Sequence, residues 1–123
     1  MVNILVVSCT QDTLKMRKEL LEFAFPEAQI APFVDPLLAA QYVGGHDVDL
    51  ALCDFRLRII DGIQLIKLLQ RQNDKVIPAL TESDGRHRAD AQTLGIGYLP
   101  QPISPRELRS FYSGAVVLRE DAI

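Results

Sequence analysis

Short apolar runs alternate along the chain with longer segments whose apolar residues recur at helical spacing. The runs predict five β-strands, at Asn3–Val7, within Ala28–Phe33, and at Val48–Cys53, Val76–Leu80 and Ile96–Leu99. The third run is nearly continuous in apolar residues, as expected for a strand buried on both faces of a parallel sheet. Pro32 lacks the backbone N–H that an inner strand donates, so the second strand is predicted at an edge.

The segments between the strands carry the start signals of helices. Thr10 or Asp12 can cap the first helix, Asp35 can cap the second, and a third is predicted from about Asp61 to Gln70. The segment Glu82–Leu94 has the weakest helical pattern, because it is highly charged and contains a glycine.

The last helix has the strongest local signal. Ser104 can cap it, Pro105 fits the first helical position, and Glu107 completes a capping box. Apolar residues at helical spacing predict the buried faces of the first and last helices: Leu14, Met16, Leu20, Leu21, Phe23 and Phe25, then Leu108, Phe111, Tyr112, Ala115 and Leu118.

Five strands and five helices in strict alternation predict an α/β fold. The expected architecture is flavodoxin-like and doubly wound, with a five-stranded parallel sheet in the order 2-1-3-4-5 and helices on both faces. At 123 residues, the chain is expected to form one domain, residues 1–123. In such a sheet, the functional crevice lies at the carboxyl ends of the strands.

The composition is that of an ordinary globular protein, with 48% hydrophobic and 24% charged residues. A net charge of −3 gives no reason to expect nucleic-acid binding. No apolar stretch approaches the roughly 20 residues of a membrane span. Cys9 and Cys53 are too few for a disulfide framework, so a reducing, cytoplasmic location is expected.

Polar side chains follow the predicted strands at the rim where a crevice is expected. These are Ser8, Cys9, Asp54, Thr81 and Gln101. Asp54 closes the central strand, where open α/β sheets place their sites, although a loop carboxylate can also serve only as a local cap. His46 and His87 have no partner at a metal-ligand spacing and are expected at the surface.

Some of these residues belong to a longer sequence pattern with defined spacings. Asp54 is followed seven residues later by Asp61-Gly62, Thr81 closes the next strand, and Tyr98 precedes Gln101-Pro102. Over nearly the whole chain this resembles the receiver domain of two-component response regulators. The resemblance implies that Asp54 stands where a histidine kinase delivers a phosphoryl group. It also implies that Thr81 and Tyr98 form the switch pair, and that the Gln101–Pro102 peptide is cis.

The chain departs from the receiver pattern at the positions that hold charge. Ser8-Cys9 replaces the acidic pair that holds Mg²⁺, and Gln101 replaces a lysine before Pro102. Asp54 alone is a poor Mg²⁺ site unless Asp12 contributes, because Mg²⁺ prefers several oxygen ligands. We therefore expect a weak or absent metal site and a pseudo-receiver that acts through protein–protein interaction, not as an enzyme.

Two further positions modify the expected site. Glu82 stands where receivers usually carry a small residue, so its carboxylate adds bulk and negative charge beside Asp54. Arg56 can offset that charge by pairing with Asp54 or Glu82, or both Arg56 and Glu82 simply face solvent.

Two alternatives stay open. One is a phosphorylation-competent receiver in which Asp12 or Glu82 lends a carboxylate to an unusual metal site. The other is a flavodoxin-like binder of FMN or another anion, because hydroxyls at Ser8, Thr10 and Thr13 have the spacing of a flavodoxin phosphate loop. Gln11 and Asp12 argue against this second alternative, since such a loop needs a glycine and no acid.

The expected partners are proteins. In receivers, a histidine kinase delivers the phosphoryl group, and a downstream effector or a second copy commonly docks on the face of the fourth helix, fifth strand and last helix. Here that face would comprise Glu82–Leu94, Ile96–Leu99 and Ser104–Leu118, whose mixed charge favours protein over nucleic acid. No direct contact with nucleic acid or membrane is expected.

Overall fold

The computed structural model of the protein describes residues 1–121, with side chains described through residue 118. Strands and helices alternate without exception over this range. The order is β1 Asn3–Val7, α1 Gln11–Ala24, β2 Gln29–Phe33, α2 Pro36–Gly45, β3 Leu50–Asp54, α3 Gly62–Gln72, β4 Ile77–Glu82, α4 Arg88–Thr93, β5 Gly97–Pro100 and α5 Pro105–Asp121.

The five strands form one parallel sheet in the order β2-β1-β3-β4-β5, which confirms the predicted topology and the edge position of β2. β3 is buried at every residue, as its apolar run predicts. The register pairs Asp54 with Thr81, so the ends of β3 and β4 lie side by side. This pairing determines where the candidate site lies, because it brings together two polar residues that are 27 positions apart in sequence.

Each face of the sheet is covered by its own hydrophobic cluster. Alternate strand residues point to opposite faces. Leu5 and Val7 therefore pack with α2, α3 and α4, whereas Ile4 and Val6 pack with α1 and α5. α1 follows β1, which is parallel to β3, so α1 begins at the edge of the sheet where β3 ends. Its first turns therefore lie beside Asp54.

Thr10, Asp35 and Ser104 cap their helices as predicted, although Ser104 and Glu107 show only one of the two bonds of the predicted capping box. Thr10 accepts a hydrogen bond from Thr13 N, Asp35 accepts from Leu37 N, and Ser104 accepts from Glu107 N. Asp61 and Gln64 form a complete capping box at the start of α3. Each cap satisfies backbone N–H groups that have no partner inside the helix.

Three of the residues predicted in buried helix faces are exposed. Met16 and Phe23 are 63% and 71% exposed, because α1 buries the face of Leu14 and Leu21, and a two-residue offset turns a helix by about 200°. Leu118 is 71% exposed because α5 is much longer than the strand it covers, so its last turns extend beyond the sheet.

The fourth helix is shorter than the predicted segment Glu82–Leu94. Glu82 belongs to β4 and is buried, and the chain then turns through Gly85, which has a φ of +72°. Only Arg88–Thr93 is helical. None of the helices in residues 1–121 is long and apolar enough to cross a membrane.

Candidate functional site

A crevice of about 280 Å³ opens at the carboxyl edge of the sheet, as predicted. It is lined by residues from the first helix, the loop after β3, the end of β4 and the turn before α4. These are Cys9, Thr13, Arg17, Asp54, Phe55, Arg56, Thr81, Glu82, Ser83, Asp84, Arg86, His87 and Gln101. The crevice therefore gathers four of the five rim residues named from the sequence, and the fifth, Ser8, lies buried beside it.

The Asp54 carboxylate is held by an arginine that the sequence pattern does not single out. Arg17 Nε donates to Asp54 Oδ1 at 3.0 Å, and both side chains are only 11% exposed. Burial raises the pKa of Asp54, and the charge and hydrogen bond of Arg17 partly offset this. The pKa remains above its ordinary value, so burial disfavours the ionised carboxylate more than Arg17 stabilises it.

Ser8 and Cys9 occupy the end of β1 as predicted, but they differ in environment. Ser8 is fully buried, and its Oγ has no hydrogen-bond partner of good geometry, although it lies close enough to Asp54 to help lower the pKa of that carboxyl. Cys9 is half-buried and lines the crevice, and its backbone carbonyl accepts from Arg58 Nε at 3.0 Å. Cys53 is buried, and burial raises the pKa of its thiol far above the usual range.

Two predicted partners of Asp54 do not contact it. Asp12 is exposed in the first turn of α1 and does not line the crevice, because its side chain faces outward while Thr13 and Arg17 face the rim. Arg56 is exposed at the mouth of the crevice and makes no ion pair with any described residue. The positive charge next to Asp54 comes from α1 instead of the loop after β3.

Thr81 and Tyr98, the residues expected to form a switch pair, both have defined hydrogen-bond partners. The Thr81 hydroxyl is buried and donates to the Leu99 carbonyl at 2.6 Å, away from Asp54. The Tyr98 ring is partly buried, and its hydroxyl donates to Glu82 Oε1 at 2.9 Å. Burial, followed by the bond to Glu82, raises the pKa of Tyr98 to about 12.

Glu82 is the centre of a second polar network. Its carboxylate accepts from His87 N at 2.6 Å, contacts His87 Nδ1 at 2.9 Å and accepts from Tyr98. Burial acts to raise its pKa, but the hydrogen bonds from His87 and Tyr98 outweigh this, and the pKa is lowered. Glu82 is therefore neither solvent-facing nor aimed at Asp54, since its oxygens are engaged by β5 and by the turn before α4.

His87 is not the simple surface residue expected from the sequence. In addition to bonding Glu82, its ring stacks on Phe55 with centroids 3.6 Å apart, and Phe55 directly follows Asp54. No sequence spacing indicates this contact, because it depends on the turn between β4 and α4. Arg17 is equally hard to find, because a charged residue in a helix usually faces water.

Asp61-Gly62 serves as structural support for the site. The N–H of Gly62 donates to Phe55 O at 2.8 Å, which folds the start of α3 against the end of β3. A Cβ on residue 62 would overlap the Asp54 carbonyl oxygen and lie 2.7 Å from Leu80 Cδ1. Only glycine lets the backbone of residue 62 lie this close to Asp54, which explains why a glycine stands at this position.

The turn after β5 also has the predicted form. The Gln101–Pro102 peptide is cis, and Gln101 N donates to Glu82 O at 3.1 Å. The Gln101 side chain lines the crevice, so an amide stands where receivers carry a lysine.

Comparison with known proteins supports one fold. No protein-family model matches the chain. The cyclic di-GMP phosphodiesterase response regulator RpfG of Xanthomonas campestris pv. campestris is 31% identical over 125 aligned positions, which span 98% of this chain and 33% of RpfG. The chain thus spans about a third of the length of this curated relative.

A response regulator receiver domain protein from Clostridium thermocellum superposes with a TM-score of 0.82 at 16% identity, over 100% of both chains. The chain has the receiver fold.

A further structure with the receiver fold bears on the metal. The receiver domain of a sensor histidine kinase from Pseudomonas aeruginosa PAO1, solved with magnesium in its active-site cleft, has a TM-score of 0.75 and 18% identity. It matches 90% of this chain and 93% of that one.

The residues of this crevice do not fit a magnesium ion. The end of β1 offers a hydroxyl and a thiol, and the Asp54 carboxylate already binds a guanidinium. No group of three His, Cys, Asp or Glu side chains within the described part of the chain could hold a metal. Mg²⁺ binds proteins through oxygen ligands that include one or two available carboxylates, whereas here the neighbours of Asp54 are a hydroxyl, a thiol and a guanidinium.

Proposed function

We propose that this chain is a receiver-like signalling module of a two-component system, acting in the cytoplasm through protein–protein contacts, in which Asp54 is phosphorylated poorly or not at all. The observation that carries the proposal is the contact of Arg17 Nε with Asp54 Oδ1 at 3.0 Å. A carboxylate oxygen bonded to a guanidinium is a weaker nucleophile. The likeness to RpfG and the receiver fold support the signalling role. Of the description of RpfG, we extend only the response-regulator part to this chain.

The expected loss of phosphorylation follows from missing charge. Phosphoryl transfer to a carboxylate brings two negative groups together and depends on positioning and neutralisation. If a metal ion and a lysine together supply about 4 kcal/mol in a competent receiver, their loss slows transfer on the order of a thousandfold. Gln101 offers a hydrogen bond but no charge, and Arg17 contacts the acceptor itself.

The second polar network suggests how such a module presents a surface. Glu82 joins the crevice to Tyr98 on β5 and to His87 before α4. The Arg88 guanidinium lies 5.1 Å from the centre of the Tyr98 ring. This arrangement connects the end of β4 to β5 and to the start of α4, and we propose the face of α4, β5 and α5 as the docking surface for a kinase, an effector or a second copy of the chain.

The test is a titration of the ¹⁵N-labelled chain with BeF₃⁻ and Mg²⁺, a phosphoryl mimic and its metal, followed by NMR. We expect no saturable amide shifts at Asp54, Thr81 and Tyr98 at millimolar ligand. Shifts that saturate and vanish in Asp54→Asn would support the phosphorylation-competent alternative instead. A gel-filtration and light-scattering measurement of mass tests the dimer, with Arg88→Glu as the variant that should weaken it.

A further inference from the structure

Arg17 has more hydrogen-bonding capacity than the protein uses. A guanidinium carries five N–H donors, and only the Nε–H of Arg17 is bonded, to Asp54. The four N–H groups on its two terminal nitrogens bond no described residue, although the side chain is 11% exposed and lines the crevice. Donors in such a place need an acceptor, since an unpaired donor that is shielded from water destabilises the folded protein.

Each carboxylate that lines the crevice is already engaged, whereas one arginine there has no ion-pair partner. Asp54 pairs with Arg17 and Asp84 with Arg86 at 3.5 Å, and the Glu82 carboxylate accepts hydrogen bonds from His87 N and the Tyr98 hydroxyl. Arg56 is the lining cation that has no ion-pair partner among residues 1–118. A negatively charged ligand therefore meets unused guanidinium donors, whereas a metal cation meets carboxylates that are already occupied.

Size and the remaining polar groups narrow the class of ligand. A volume of about 280 Å³ lies just below the usual range of pockets for drug-sized molecules, so the ligand is small. Gln101 and Ser83 add neutral donors to the lining.

We infer that the crevice binds a small oxyanion of the phosphate or sulfate class without a divalent metal ion, held by the terminal nitrogens of Arg17 and by Arg56. Arg17 would then bridge Asp54 and the anion, so that the guanidinium neutralises the carboxylate that would otherwise repel it. Planar guanidinium groups bind such oxyanions through paired hydrogen bonds. The inference deepens the proposed function, because it names the ligand that would occupy the crevice of a receiver-like module.

The experiment uses the full chain treated with EDTA, ¹⁵N-labelled, and titrated with inorganic phosphate at constant ionic strength. Saturable shifts are expected at the amides of Arg17, Asp54 and Glu82, unchanged when Mg²⁺ is added. Arg56→Gln, which alters an exposed residue, should weaken binding by about tenfold, as loss of one charge-assisted contact does. Arg17→Lys should weaken it at least as much. Arg109→Gln, on an exposed position of α5 outside the crevice, is the matched control and should bind as the unaltered chain does.

Three results would overturn the inference. They are shifts that appear only with Mg²⁺, shifts that grow linearly without saturation, and an unchanged affinity for phosphate in Arg56→Gln. Sulfate in a parallel titration shows whether the site selects an oxyanion class or phosphate alone. Failure of this inference can be distinguished from failure of the proposed function. The titration with BeF₃⁻ and Mg²⁺ tests whether Asp54 acts as a phosphoacceptor, whereas the titration with phosphate alone tests only whether the crevice binds an anion.

Discussion

Removing Arg17 should destabilise the protein through Asp54. In Arg17→Met, a carboxylate that is 11% exposed loses its counter-charge. Breaking one partner of a buried pair costs about 3–5 kcal/mol, and we expect about 3 kcal/mol because both groups keep some contact with water. In Arg17→Met/Asp54→Asn neither charge remains, so the double variant should return to within about 1 kcal/mol of the original stability.

The assay is urea unfolding followed by circular dichroism, for the chain, both single variants and the double variant. With a slope of about 1.5 kcal/mol per molar urea, a loss of 3 kcal/mol lowers the midpoint by about 2 M. Arg109→Met serves as the control for removal of an arginine, and an exposed substitution of this kind should stay within about 0.5 kcal/mol.

The pH dependence gives an independent check. The pKa of Asp54 is raised in the folded protein, mainly by burial, so the folded state binds the proton more tightly than the unfolded chain does. The contribution of this group to stability is therefore greatest below the unfolded pKa of 3.8 and falls as the pH rises through the folded pKa. Arg17→Met raises the folded pKa further, so its deficit should shrink as the pH falls. A deficit below about 0.5 kcal/mol at neutral pH, or a double variant as unstable as the two single effects added together, would refute the reasoning.

Three further predictions follow from local geometry. Gly62→Ala should lower stability by about 2 kcal/mol in urea unfolding, since its Cβ overlaps the Asp54 carbonyl, whereas Gly45→Ala, where a Cβ meets nothing within 4 Å, should not. Ile59→Gly should raise stability by about 1 kcal/mol, because a β-branched residue that is 78% exposed holds a φ of +73°; an unchanged midpoint would argue against strain there. Tyr98 should ionise near pH 12 by absorbance at 295 nm, and Glu82→Gln should lower that pKa; an unshifted titration would contradict the contact.

The fold was predictable because it depends on patterns that repeat. Apolar runs of strand length, alternating with capped amphipathic segments, leave few arrangements other than a doubly wound sheet. Asp54 and Thr81 were predictable for the same reason, since the carboxyl ends of parallel strands meet at one edge. The register of β3 and β4 then pairs the two residues directly.

The partners of the site residues were not predictable from the pattern. Whether Arg17 faces water or Asp54 depends on how α1 sits on the sheet, and a two-residue change of face separates buried Leu14 from exposed Met16. The sequence offered Arg56 and Asp12 only as possible neighbours of Asp54, with a solvent-facing Arg56 as the alternative, because one is near in sequence and the other is at the helix start. The contact between His87 and Glu82 depends on the turn before α4, which the sequence-based prediction included in a longer helix.

The ion pair at the base of the crevice also makes the effects of substitutions depend on their order. Replacing Ser8 and Cys9 with aspartates, to rebuild an acidic pair, would introduce carboxylates within reach of a guanidinium already bound to Asp54. The new acids would compete for Arg17 before they could bind a metal. The same two replacements made after Arg17→Gln would meet an unpaired carboxylate instead. We therefore expect that rebuilding a magnesium site in this crevice requires replacement of Arg17 as well as of Ser8 and Cys9.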